Sequence, residues 1–410
     1  MLRLDPFERL GRRSPSSPVG PGHGIGISLC WHSAEASHVD SRVLPCPVRD
    51  EASRTLLARL EAQDTEPLPR AFRAGELLPD WDAEQLVGIP GSLFPRTRGH
   101  LQIEPGSGRF YPGSLLAGAP ELTPGPPTAF RVTSVAPDGT ITLDFNHPLA
   151  GRPVELDLRL LDLVPPGEPT TANLGRAAVT NGPGMQARWR GQPTDFHSDG
   201  PYERPDSRPD AEFYVEPRMV QHVDDTARAQ IRALYAALVP RNGHVLDLMS
   251  SWTSHLDPGT HPGEVAGLGM NAEELAANPK LSERVVQDLN LDPRLPWPDC
   301  RFDAVICTVS VEYLTRPVSV FREVRRVLRP GGRFVLTFSN RWFPPKAIAL
   351  WPELHEFERM GLVLEFFLAA RGFENLETWS LRGLPRPASD PYAARFAFSD
   401  PVYAVWGEAA

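Results

Sequence analysis

The carboxy-terminal half of this chain repeats one event four times: a short apolar run ends, and a small or polar residue follows it. The runs are His244-Val-Leu-Asp-Leu248, Val265-Ala-Gly-Leu-Gly-Met-Asn271, Val285-Val-Gln-Asp288 and Phe302-Asp-Ala-Val-Ile-Cys-Thr308, with helix-like stretches after the first, second and fourth. Apolar strands alternating with helices predict an α/β domain built on a parallel sheet. Such sheets take their ligands at the carboxyl ends of the strands. The pattern that predicts the fold therefore also places a candidate site.

The rest of the sequence sets bounds on this reading. A chain of 410 residues exceeds one ordinary core and predicts two or three domains. A net charge of -9 argues against a general nucleic-acid or anionic-membrane partner. Lys280 and Lys346 are the only lysines, and the arginines are scattered rather than patched. Cys30, Cys46, Cys300 and Cys307 form no CxxC pair, which suits a reducing cytoplasm. No stretch approaches the roughly 18 apolar residues of a membrane span. The opening residues are not followed by an apolar signal region. The histidines form no metal-ligand cluster.

Proline and glycine are densest without periodicity from Pro165 to Pro209, which predicts an extended linker or a surface wrap with little regular structure. The expected organisation is a β-rich domain over 1–164, a linker over 165–195 and the α/β domain over 196–410. Phe130–Val135 and Thr140–Asp144 flank Asp138-Gly139, a hairpin signal. Val154 to Leu160 alternates like a half-buried strand. Arg54 to Glu61 is predicted as a short helix. Further helices are predicted over Val223–Leu238, Pro317–Leu328 and Leu354–Arg371, and last strands over Phe373–Ser380 and Pro401–Gly407.

Each strand end can be read as a ligand contact. Met249-Ser-Ser-Trp-Thr-Ser254 stands where a nucleotide-binding fold normally carries glycines. The missing G-x-G-x-x-G counts against NAD or FAD. Asp247 offers a carboxylate to a cationic amine or sulfonium; the alternative is a polar residue orienting the turn. Asn271 stands where ribose hydroxyls are read, with one acceptor and one donor group. Asp288 offers an acceptor to an adenine amino group, with Leu289 covering the ring. Thr308, Ser310, Glu312 and Tyr313 follow the fourth strand, where a substrate meets a cofactor. Singly, each is as readily a cap or a satisfied polar group; their ordered recurrence carries the reading.

The series Phe302-Asp-Ala-Val, Tyr313-Leu, Phe321-Arg-Glu-Val, Val327-Leu-Arg-Pro-Gly-Gly and Phe334-Val-Leu-Thr-Phe is similar to class I S-adenosylmethionine-dependent methyltransferases over residues 217–380. More narrowly the chain resembles a branch with Leu246-Asp-Leu, Ser250-Ser-Trp, Gly269-Met-Asn-Ala-Glu-Glu-Leu275, Asp288-Leu-Asn290 and Ser339-Asn-Arg341, which Phe213-Tyr214, Pro217-Arg218 and His222 also match. The resemblance implies a Rossmann-like sheet and S-adenosylmethionine as cofactor. The implied pocket is lined by Asp247, Met249, Ser250, Asn271, Asp288, Leu289 and Ser310. The implied reaction is in-line methyl transfer, which needs positioning above all and a base only where the nucleophile starts protonated. Tyr313, Glu312, His222 and His255 are the candidate orienters or bases, with His222 read as helical. The absent glycine loop is a departure from the wider family.

In the amino-terminal part, Asp144-Phe-Asn-His-Pro-Leu-Ala-Gly151 and the strand after it resemble SlyD-like FKBP-type peptidyl-prolyl isomerases. Ile25 to Asp40 fits that family's first strands and about 82–145 its inserted flap, which binds unfolded chains. The resemblance implies a pocket of Trp31, Asp40 and Leu156, with Trp31 in place of a tyrosine and Leu156 in place of an aromatic. Two functions stay open. One is a methyltransferase acting on an unidentified acceptor, with a module that recognises unfolded or proline-containing peptides. The other is a folding helper whose α/β domain binds S-adenosylmethionine without chemistry.

Overall fold

The computed structural model describes residues 7, 23–45, 68–98, 101–116, 129–163, 174–180, 182–196, 200–257 and 263–410. The predicted helix at Arg54–Glu61 and Cys46 lie outside them. The amino-terminal part supplies β1 (Gly24–His32), β2 (Ser37–Pro45), β3 (Leu68–Phe72), β4 (Leu86–Pro90), β5 (Thr97–Arg98), β6 (Leu101–Gln102), β7 (Phe110–Pro112), β8 (Ala129–Val135), β9 (Thr140–Asp144) and β10 (Val154–Leu161). The four apolar runs form β11 (His244–Leu248), β12 (Glu264–Gly269), β13 (Glu283–Val286) and β14 (Phe302–Thr308). After them come β15 (Leu328–Phe338), β16 (Phe373–Arg382) and β17 (Val402–Ala409).

β11 runs parallel to β12 and β14, β12 to β13, and β14 to β15. β17 is antiparallel to both β15 and β16. The order β13-β12-β11-β14-β15-β17-β16 is a Rossmann-like sheet whose strand order reverses between β11 and β14. That reversal leaves a crevice beyond the carboxyl ends of the two strands.

The sheet does not stop at β16. It continues through β2-β1-β10-β3, giving 11 strands among the described residues. β16 pairs parallel with β2, from Glu377 opposite Ser37 to Arg382 opposite Arg42. Buried polar side chains fix this seam: His38 Nδ1 lies 2.8 Å from Thr378 Oγ1, and Ser380 Oγ donates to Asp40 Oδ1 at 3.2 Å. Val39 and Val43 share a core with Trp379 and Leu381. An unpaired β16 would leave a row of buried N–H and C=O groups without partners; β2 supplies them.

A separate four-stranded sheet, β4-β9-β8-β7, encloses Ile89, Phe94, Tyr111, Phe130, Ile141 and Leu143. Its hairpin turns at Gly139, whose φ of 85° favours glycine, while Asp138 Oδ1 accepts from Thr140 N at 2.8 Å.

Helices α1 (Leu174–Val179), α2 (Asp210–Phe213), α3 (Asp225–Leu238), α4 (Ala272–Ala277), α5 (Pro317–Val327) and α6 (Glu356–Ala370) complete the described structure. α5 begins at its proline and buries Val320, Phe321, Val324 and Val327 completely, each side chain contributing roughly 1.5–3 kcal/mol. α6 packs beside it, and α3 covers the opposite face with Ile231, Leu234, Tyr235 and Leu238. Two expectations need correction. The stretch expected as an extended linker is packed where described: Ala177, Ala178, Val179 and Ala187 are buried in the β1–β10 core. No helix lies between β11 and β12 among the described residues. No described helix is long and apolar enough to cross a membrane.

Candidate functional site

The crevice between β11 and β14 opens into a cavity of about 1130 Å³, counted with its mouth. Its floor is made by the ends of β11, β12 and β14 and the turn after β13. Part of segment 210–223, leading into α3, closes one side. Asp247, Met249, Ser250, Asn271, Asp288, Leu289 and Ser310 all line this one space, as do Tyr313, His222 and His255. Glu312 does not.

The backbone turns at the strand ends without a glycine loop. Met249 takes a φ of 56° and Val309 a φ of 45°. For a β-branched residue that is an outlier, a strain of about 1–3 kcal/mol held by the surrounding packing. The glycine that the site requires lies on the neighbouring strand. A Cβ at Gly269 would sit 2.2 Å from the Ser250 carbonyl oxygen, and Ser250 N donates to Leu268 O at 2.7 Å.

Asp247 is 2% exposed, and its Oδ2 accepts from Ser250 Oγ at 2.6 Å. Burial pushes its carboxyl up to about 6, against the pull of hydrogen bonds from Ser250 and Ser254. Asp288 is half-buried, and its Oδ1 caps the following turn by accepting from Asn290 N at 2.8 Å. Leu289 is buried beside it. Ser310 Oγ donates to Thr308 O at 2.9 Å.

Asn271 faces the cavity with both of its functional groups occupied. Its Oδ1 caps α4 by accepting from Glu273 N and Glu274 N, and its Nδ2 donates to Tyr214 O and Val215 O. The expected ribose contact is therefore corrected: this side chain ties the covering segment to the sheet. Arg218, on that segment, is the residue the site reading missed. It hangs over the rings of Phe213 at 4.4 Å and Phe343 at 5.4 Å. Its Nη1 is buried with no hydrogen-bond partner, so the guanidinium has a donor to give to a carboxylate. Segment 210–223 has no sequence periodicity to place it over the crevice. Trp252 Nε1 donates to Val220 O at 3.1 Å, so this ring is a wall of the cavity and not a plug.

The candidate bases separate clearly. Tyr313 accepts from Phe343 N at 2.8 Å through its hydroxyl. Burial holds its phenol well above the usual 10, so it stays protonated and can orient but not deprotonate. Glu312 is 1% exposed, lies off the cavity, and is pushed by burial up to about 8; it is a neutral buried acid, not a base for the site. His222 precedes α3 rather than lying on it. Its ring meets Phe343 edge-on at 5.2 Å, and desolvation lowers its pKa. His255 is pushed down to about 4 by burial, then by Arg228 and Arg232. Both histidines are thus neutral at pH 7, and His222 is the more exposed of the two.

Trp31, Asp40 and Leu156 also come together, but as core. Trp31 is 1% exposed, stacks on His38 at 3.8 Å and donates through Nε1 to Asp40 Oδ2 at 3.1 Å. Gln186 and Ser380 donate to the same carboxylate, which burial pushes up to about 6. Gln186 from the supposed linker and Ser380 from β16 close over the residues of the implied pocket.

Residues 251–336 match the family model described as methyltransferase domain. Over those residues, which include β12 to β14 and most of β15, the chain is similar to a methyltransferase domain. A ubiquinone/menaquinone biosynthesis C-methyltransferase of Chromobacterium violaceum is 34% identical over 103 residues, covering 24% of this chain and 41% of that protein. Its counterpart in Laribacter hongkongensis is 35% identical over 71 residues, 17% of this chain and 28% of that protein. The chain thus spans less than half the length of these curated relatives. A solved S-adenosylmethionine dependent methyltransferase from Mesorhizobium loti is 16% identical, with 42% of this chain and 97% of that one covered at a TM-score of 0.28. A SAM dependent methyltransferase from Aquifex aeolicus is 13% identical, with 49% and 97% covered at 0.31. Likeness at that level bears on neither substrate nor activity; the fold description rests on the strand order above.

Proposed function

We propose that the chain is an S-adenosylmethionine-dependent methyltransferase whose cofactor lies across the ends of β11, β13 and β14. The observation that supports this is the convergence of Asp247, Asp288, Leu289 and Ser310 from three separate strand ends on one cavity. The donor set suits the ligand. Asp247 is a buried carboxylate hydrogen-bonded by the neutral hydroxyls of Ser250 and Ser254, fit for an ammonium or sulfonium. Arg218 has an unpartnered buried N–H for the carboxylate of the same molecule. Leu289 offers an apolar surface to the base, and Asp288 an acceptor to its amino group.

When bound, the cofactor supplies a methyl carbon made electrophilic by the sulfonium. The chain's part is to exclude water, fix the donor and hold the acceptor in line. Tyr313 donates a hydrogen bond from its protonated hydroxyl. His222, neutral at pH 7, takes a proton from an acceptor that carries one. For the amino-terminal part, the reading as a SlyD-like module stays a proposal, in the form of a peptide-facing scaffold. The packing of Trp31 against Asp40 supports scaffold over isomerase, since among the described residues this ring is buried rather than open to an X–Pro amide. Transfer of labelled methyl from S-adenosylmethionine into cell extract tests the proposal. Incorporation by the wild type and its loss in Asp288→Ala are expected; no incorporation by the wild type under any condition refutes it and favours binding without chemistry.

A further inference from the structure

A second cavity, of about 860 Å³ counted with its mouth, lies in the amino-terminal part between the Asn146–Arg152 crossing, β8 and the turn at 188–190. It shares no lining residue with the strand-end cavity. Four guanidinium groups line it, those of Arg131, Arg152, Arg188 and Arg190, against the one carboxylate of Asp144. Some of this charge is already answered. Arg188 forks onto Glu365, with Nε at 2.7 Å and Nη2 at 2.6 Å. Asp144 Oδ1 accepts from both N–H groups of Asn146. Arg152 gives Nη1 to His32 O and has Glu35 nearby.

Arg131 and Arg190 are not answered in this way. Arg131 is 5% exposed, donates to Ala187 O at 2.9 Å, and leaves its Nε buried without an acceptor. Burial lowers it to about 10 against the pull of Asp144 and Glu358. Trp81 Nε1, on the same cavity, is likewise buried with no partner. Arg190 lies over Trp81 at 4.4 Å and Trp189 at 4.9 Å, and no described carboxylate pairs with it. Buried donors left without acceptors are rare in folded proteins and call for an explanation.

We infer that this cavity binds a small organic anion, whose carboxylate or phosphate is held by Arg131 and Arg190 and whose planar body rests on Trp81 and Trp189. Guanidinium forks suit either oxyanion, and the aromatic walls suit a flat apolar body.

Tryptophan fluorescence of the full chain, titrated with benzoate, phenyl phosphate and neutral benzamide, tests this. A saturable change with at least one anion, and none with benzamide, is expected; the tighter of the two anions identifies the headgroup. Arg190→Gln, at an exposed position and with its fold checked by circular dichroism, is expected to weaken binding about tenfold, the loss of one charge-assisted contact. Arg131→Gln is the second arm. Saturation by benzamide as tight as by the anions, no saturation by either anion, or an unchanged midpoint in Arg190→Gln overturns the inference. S-adenosylmethionine binding is expected to be the same with and without benzoate, so the two sites stand or fall separately.

Discussion

Replacing Asp247 with asparagine separates what this carboxylate does for the fold from what it does for a ligand. In the wild type its pKa is raised from 3.8 to about 6 by burial. A raised acid favours the folded state while protonated, and that contribution is lost as pH rises through the folded value. The loss amounts to about 3 kcal/mol between pH 3 and pH 7.5, at 1.36 kcal/mol for each tenfold change in proton affinity. Asparagine keeps an acceptor for Ser250 Oγ and cannot ionise. The variant is therefore expected to gain on the wild type by about 3 kcal/mol across that interval, read by urea denaturation at each pH. Ligand binding runs the other way. S-adenosylmethionine needs the ionised form, so wild-type affinity rises about tenfold per pH unit up to about pH 6 and then levels. Asp247→Asn removes that slope and binds about 10- to 100-fold more weakly at pH 7.5. A variant with the wild-type pH dependence of stability, or with undiminished affinity at pH 7.5, refutes the reasoning.

Three further outcomes follow from the structure. Gly269→Ala places a Cβ 2.2 Å from Ser250 O, so it is expected to lower stability by about 1–3 kcal/mol and to abolish ligand binding, measured by denaturation and calorimetry. His222→Gln is expected to remove an acidic limb of the methyl-transfer rate lying below pH 6.5, where the wild-type imidazole protonates, and to lower the plateau about 100-fold; an unchanged pH profile rules out the base role. Arg386→Met strands the buried carboxylates of Asp224 and Asp400, which Arg386 pairs from a side chain 4% exposed. It is expected to cost about 3–5 kcal/mol by denaturation at pH 7.

The residues explain which parts of this fold could be read in advance. Strands β11 to β14 are apolar runs that end abruptly, and α5 carries an apolar stripe after a proline. Those signals are local, and the structure follows them. The β8–β9 hairpin was legible because Asp138-Gly139 has few other uses. The seam between β2 and β16 was not. It joins Ser37–Pro45 to Glu377–Arg382 across more than three hundred residues, and nothing local in either strand names its partner. The same gap hid the fate of Trp31 and Asp40, over which Gln186 and Ser380 close from distant segments. At the strand ends, position was legible and chemistry was less so. Asn271 is where expected, but its amide is occupied by the α4 cap and the covering segment, and Glu312 is turned away into the core.

The central claim is that the cavity at the β11–β14 crevice receives an adenosyl sulfonium. A crystal structure of the full chain with S-adenosylhomocysteine tests it most directly. The expected density crosses the strand ends with its base beside Asp288 and Leu289 and its amino acid end between Asp247 and Arg218. Density elsewhere on the protein, or an empty crevice at saturating ligand, contradicts it.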